Sequence, residues 1–127
     1  MSWQTYVDTH LIGTEKIAKA SILGHDGSTW ATSKDFVITP EEGKALAKGI
    51  TAQDCFYSTG VHLAGTKYTY LRGVKDENVY AKKGDSGVCV VKTKQAIIVG
   101  IYVEGTQPGQ ATVVVEKVGD YLKNAGY

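Results

Sequence analysis

The sequence is poor in the residues that mark several classes of protein. Two prolines among 127 residues are too few for a proline-rich linker or a disordered tail, and there is no low-complexity run or internal repeat. Its two cysteines, Cys55 and Cys89, stand apart without a CxxC pair or a nearby Cys/His cluster, so neither a zinc site nor a disulfide framework is indicated. No apolar stretch approaches the ~18 residues of a membrane helix, and no basic segment followed by an apolar one opens the chain. These absences predict a cytoplasmic protein. Catalytic signatures are missing as well. His10, His25 and His62 fall in helix-like, turn-like and strand-like segments without HExxH or other metal-ligand spacing. The segment KKGDSG (residues 82–87) matches neither GxSxG nor GxxxxGK[ST] and reads as a tight turn between strands. Asp26, Asp35, Glu41 and Glu42 stand at loops and a helix start, where capping and solvation account for them. No enzyme activity, cofactor or metal is expected.

What is present suits one globular domain over residues 1–127, a length that buries roughly two-thirds of the unfolded chain's surface. Cys89, inside VCVV, reads as a small buried hydrophobe. The formal net charge of +1 is unevenly spread. Residues 1–66 carry five Lys/Arg against seven Asp/Glu, residues 67–94 seven against three, and residues 95–127 two against three. All of the basic excess therefore lies in the middle segment, where it can steer an acidic partner.

In SWQTYVDTHLI, Ser2 is a candidate N-cap, and Trp3, Tyr6, Val7, His10 and Leu11 recur at the spacing of one helical face, with Gly13 closing the helix. Residues 18–33 read as a hairpin turning at Asp26-Gly27, with Trp30 on its second arm. In TPEEGKALAKGI, Thr39, Pro40 and Glu42 form a capping-box helix start, and the helix ends near Gly49. From Val61 the pattern becomes GVHLAG, KYTYLRG, NVYAKKG, GVCVVKT and AIIVGIYVE, a five-strand antiparallel meander joined by short turns. After Pro108-Gly109 a helix returns, with Val114, Val118, Tyr121, Leu122 and Ala125 as its apolar stripe and Gly126 as its C-terminal glycine. The β-branched run Val113 to Val115 makes that helix depend on packing. The predicted fold class is α+β, helices laid on an antiparallel sheet.

Aromatic residues concentrate at both ends of the chain. If the terminal helices pack side by side, Trp3, Tyr6, Tyr121 and Tyr127 gather, and Trp30 joins from the strand beneath. Such a cluster is either a hydrophobic seam or a groove for a polyproline II ligand, whose prolines stack on flat rings and whose free carbonyls accept from indole N–H and phenol O–H groups.

Taken together in this order, SWQTYVDTHL, TWATS, LRGVKDENVYAKKGDSGVCVVKT and PGQATVVVEKVGDYL resemble profilin, the family of small actin-monomer-binding proteins, over essentially the whole chain. The resemblance implies a central antiparallel sheet, the N- and C-terminal helices on one face and smaller helical elements on the other. It implies a polyproline groove at Trp3, Tyr6, Trp30, Tyr121 and Tyr127, serving formins and other filament-elongation factors. It also implies an actin face at Lys67, Arg72, Lys82, Lys83, Lys92, Gly109, Thr112 and Lys117. The partner there would be one actin monomer in a 1:1 complex at the cell cortex, with faster actin nucleotide exchange as the outcome. Polyphosphoinositide lipids are implied as secondary ligands of the basic residues; nucleic acid is not. Two alternatives to this reading are a small regulatory α+β domain that binds a ligand on its sheet and an enzyme working through KKGDSG.

Overall fold

The computed structural model of the protein describes residues 2–127. Its centre is a seven-stranded antiparallel sheet: β1 (Lys19–Gly24), β2 (Thr29–Thr32), β3 (Val61–Leu63), β4 (Thr66–Val74), β5 (Asn78–Lys83), β6 (Ser86–Lys92) and β7 (Ala96–Tyr102). The strands lie in the order β2-β1-β7-β6-β5-β4-β3. The expected hairpin and five-strand meander are both present, and pairing of β1 with β7 joins them into one sheet. All seven residues of β7 are buried, because helices cover the middle of the sheet on both faces.

Strand alternation divides the side chains into two cores. Cys89, Val91 and Ile98 point to one face, where they meet Val7, Leu11, Ala111, Val115 and Leu122 of the terminal helices. Val88, Val90, Ile97, Val99 and Ile101 point to the other, against Leu46, Ile50 and Phe56. That second layer consists of α2 (Pro40–Thr51) and α3 (Cys55–Thr59). Helix α2 begins as predicted. The Thr39 hydroxyl accepts from Glu42 N–H at 3.2 Å and the Glu42 carboxylate from Thr39 N–H at 3.0 Å. Glu42 also accepts from the N–H groups of Ala64 and Gly65 at 2.9 and 2.8 Å, tying the helix to the β3–β4 turn. Helix α3 has no counterpart in the sequence reading, being too short for periodicity to register.

Two expectations about the terminal helices are corrected. The N-terminal helix α1 is α-helical over Trp3–Thr5, widens to a π-helix over Tyr6–Leu11 and tightens to 3-10 over Ile12–Thr14. Ser2 caps it, but its end is marked by Glu15, in the left-handed region at φ 65°, and not by Gly13. The wider turn brings Tyr6, Val7 and Leu11 onto the sheet and leaves His10 exposed. In α4 (Pro108–Asn124) the buried stripe is Ala111, Val115, Val118, Gly119 and Leu122. The expected stripe of Val114, Val118, Tyr121, Leu122 and Ala125 is rotated from it, and Tyr121 and Ala125 are exposed. Gly119 decides the matter: a Cβ there would come within 2.7 Å of Val91 Cγ1, so the backbone itself rests on the sheet. The helix closes as a Schellman motif, Tyr127 N–H donating to Leu122 O and Gly126 N–H to Lys123 O, with Gly126 at φ +94°. Among the described residues, no helix is long and apolar enough to cross a membrane.

Candidate functional site

Helices α1 and α4 lie together on one sheet face, and their outer edges bring the five predicted aromatics into one cluster. The Trp3 ring sits 5.0 Å from Trp30, 5.5 Å from Tyr127 and 6.0 Å from Tyr6. Tyr6 in turn lies 5.9 Å from Tyr121. These separations fall in the range of favourable tilted and edge-to-face ring pairs. The cluster is not sealed: Trp3 is half-buried, while Trp30, Tyr121 and Tyr127 are 39%, 54% and 44% exposed. Tyr6 is the buried floor at 8%. Burial, reinforced by the neighbouring Tyr121 and Tyr127 phenols, raises its pKa above the usual tyrosine value, so its hydroxyl keeps its proton. An open-topped set of rings carrying phenol hydroxyls and indole N–H groups is a stacking surface that can also donate hydrogen bonds.

Three features outside the predicted set hold this cluster. Gln4 Nε2 donates to Thr32 O at 2.9 Å and to Asp8 Oδ1 at 3.0 Å, pinning α1 to the strand that carries Trp30. Gly24 leaves room for that indole, since a Cβ at residue 24 would meet Trp30 Nε1 at 2.9 Å. The Tyr127 carbonyl oxygen accepts from Gln95 N–H at 2.5 Å and Thr93 Oγ1 at 2.8 Å, fixing the last ring to the β6–β7 turn. His10 extends the cluster, 5.5 Å from Tyr6. Beyond Tyr6 and Tyr121 an apolar cleft of about 640 Å³ runs between α1 and α4, with Val114 and Val118 in its wall and Lys117 at its border.

The second surface lies where the sheet extends past α4. Here β4 carries a bulge: Tyr70 opposes Ala81 but Arg72 opposes Tyr80, leaving Leu71 as the extra residue. Strict alternation from Tyr68 and Tyr70, which pack with the α2 and α3 side, would send Arg72 to that side. The bulge turns it over, and its guanidinium lies over the Tyr80 ring at 4.7 Å, on the α4 face. Leu71 and Val74 are left about half exposed, as is Val113 on α4. Lys67 runs beside Gly60 at the β3 edge, next to Tyr57, which is 75% exposed and stacks edge-on against Tyr70 at 5.0 Å. Lys82, opposite Thr69, borders a depression shared with Gln107 and Pro108 at the start of α4. Lys83 stands at the β5–β6 turn, where KKGDSG is the predicted tight turn, Ser86 Oγ donating to Lys83 O at 2.8 Å. Gly109 opens onto free surface in the first turn of α4.

The remaining predicted residues are placed differently. Thr112 is half-buried and turned to the sheet, its Oγ1 3.3 Å from Cys89 Sγ. Burial pushes the Cys89 thiol up to about 11 despite that contact, which suits the inert small hydrophobe expected. Lys117 is exposed where α4 faces the apolar cleft, one turn before Tyr121. Lys92 does not join the others. It lies at the opposite end of the β5–β6 hairpin from Lys83, with its ammonium 3.2 Å from Asp76. The sheet thus presents half-exposed apolar residues and exposed cations on the same pair of strands, β4 and β5. Leu71 and Val74 beside Arg72 carry no signal in the sequence, since an exposed apolar residue is ordinary; Tyr57, on α3, stacks on Tyr70 on the opposite side of the sheet from Arg72.

A sequence model of the profilin family matches residues 1–127. The chain is 51% identical to profilin-2 of Acanthamoeba castellanii and 52% identical to the profilin of Drosophila melanogaster, in each case over 127 residues and the full length of both chains. Its fold superposes on Acanthamoeba castellanii profilin IA with a TM-score of 0.96, at 50% identity, covering 99% of this chain and 100% of that one. A more distant structure, mouse profilin IIa in complex with a double repeat from the FH1 domain of mDia1, shares the fold with a TM-score of 0.82 at 22% identity, covering 100% of each chain. With full-length identity near one-half and the same architecture throughout, the chain belongs to the profilin family of actin-binding regulators.

Proposed function

We propose that this protein uses its two surfaces for two partners at once: the aromatic cluster for a polyproline II segment and the face around Arg72 for an actin monomer. The observation that carries the reading is their separation in kind on one rigid sheet. One surface is almost wholly aromatic and open, formed by Trp3, Tyr6, Trp30, Tyr121 and Tyr127. The other carries the exposed cations Lys67, Arg72, Lys82 and Lys83 on β4 and β5, with Leu71 and Val74 of β4 about half exposed. A polyproline II helix is stiff and has unpaired carbonyls, so docking on preformed rings costs little ordering entropy. Support for the ligand class comes from the mouse relative, solved with an FH1 double repeat.

On the second surface, cations steer the acidic monomer and the apolar residues seat it. Arg72 and Lys67 lead, Lys82 borders the depression at the start of α4, Lys83 follows it at the β5–β6 turn, and Lys117 meets the partner from α4. Gly109 admits close backbone approach, and Thr112 holds the helix to the sheet. Lys92 contributes through its ion pair with Asp76 to the shape of the β4–β5 turn. Binding a more open actin conformation preferentially would accelerate nucleotide exchange without any chemistry by this chain. Holding actin beside a tethered proline-rich factor raises its local concentration there. Polyphosphoinositide headgroups are secondary ligands of the same cations. The test is tryptophan fluorescence on adding poly-L-proline. Trp3 and Trp30 are in contact, so their emission changes on binding, and an unchanged spectrum refutes the groove.

A further inference from the structure

We infer that Tyr80 and Glu116 act as a positioning pair for Arg72, holding its guanidinium ready for the acidic partner on the sheet face. The inference rests on the partner assignment made above for that face. Arg72 is exposed on the β4 bulge, and a side chain with that many rotamers loses considerable freedom on being captured by a partner. Its resting place is already defined: the guanidinium carbon lies 4.7 Å from the centre of the Tyr80 ring. No carboxylate of the described residues pairs with it; the ion pair among them joins Lys92 to Asp76. Its charge is therefore held in place by a ring and left available for an incoming carboxylate.

The ring is itself anchored from α4. The Tyr80 hydroxyl donates a hydrogen bond to the Glu116 carboxylate, and Tyr80 as a whole is 9% exposed in the same core as Cys89. Burial first, and Glu116 second, push the Tyr80 hydroxyl far above the ordinary tyrosine range, so it remains a donor. Donation to a carboxylate polarises the phenol and enriches the ring face that attracts the cation. One turn earlier on α4, Thr112 rests on Cys89, which fixes the same helical edge. The Tyr80 ring of β5 thus joins the Glu116 carboxylate of α4 to the guanidinium of Arg72 on β4, and of the three residues Arg72 is the exposed one.

The experiment is a double-mutant cycle on the full chain, with the affinities for actin monomer and for poly-L-proline measured in each variant. Arg72→Ala weakens actin binding at least about tenfold. Tyr80→Leu weakens it roughly threefold to tenfold when Arg72 is present and has almost no further effect when Arg72→Ala is already there. Tyr80→Phe, which keeps the ring and loses the hold of Glu116, gives a loss of about twofold. Poly-L-proline affinity is unchanged in all of them, showing that the fold is intact. An equal loss from Tyr80→Leu in both backgrounds, or none in either, overturns the positioning role. If Arg72→Ala leaves actin affinity unchanged while Tyr80→Leu reduces it, the assignment of Arg72 to the face fails, and the positioning role with it.

Discussion

The aromatic cluster and the cationic face are made by opposite means. The cluster is assembled from the two ends of the chain and one hairpin arm, and nearly every member touches another member: Trp3 alone lies within 6.0 Å of three other rings. The cationic face draws on adjacent strands and the helix beside them, and its charges are spread apart, with Arg72 resting on Tyr80 and Lys67 along Gly60. The first surface is preorganised by contacts among its own rings; the second depends on what lies under it. Substitutions in the first should therefore alter ligand binding directly, while the second can be disturbed from beneath as well as from its surface.

The largest separation of the two should come from Arg72→Glu. Reversing the charge that faces an acidic partner costs several kcal/mol, so actin affinity falls by about a hundredfold or more with poly-L-proline affinity unaltered. Equal loss of both would merge the surfaces. The converse variant, Trp3→Ala, removes the ring common to three contacts. It should cost about 2 kcal/mol of poly-L-proline binding, roughly thirtyfold by titration calorimetry, and leave actin binding intact. A third variant acts on what the surfaces share. Gly119→Val forces a side chain against Val91 beneath α4 and should lower stability by about 1–3 kcal/mol in chemical denaturation, weakening both affinities together.

The smallest effect concerns neither surface. Burial opposes ionisation of Glu42, but the N–H groups of Thr39, Gly65 and Ala64 outweigh it and lower the pKa below its ordinary 4.5. A depressed folded value means stability present above the unfolded pKa and lost as pH falls through the folded one. Glu42→Gln should flatten that part of the acid unfolding curve below about pH 5 while both binding affinities at neutral pH stay as they were.

The difference between the surfaces also explains what could be read before the fold was known. The rings were legible because helical spacing and position at the chain ends placed Trp3, Tyr6, Tyr121 and Tyr127 together, and the capping box at Thr39 and Glu42 was legible because it is local. Arg72 was not legible from pattern: its face is set by a one-residue bulge at Leu71, and a single extra residue reverses alternation without changing composition. Family resemblance supplied that position instead. Helix α3 and the exposed Tyr57 went unread because five residues carry no period. The α4 stripe was rotated in the reading because Gly119, which carries no hydropathy signal, is the point that rests on the sheet. Gln4 and Gly24 hold the cluster through bonds and space that only appear once β1, β2 and α1 are together.

The central claim is that two partners occupy one domain simultaneously. The direct measurement is poly-L-proline affinity for the free protein and for the protein saturated with actin monomer, with sedimentation recording the species formed. The account predicts affinities within about twofold of one another and a complex holding one copy of each component. Displacement of actin by poly-L-proline, with no ternary species at any concentration, would contradict it.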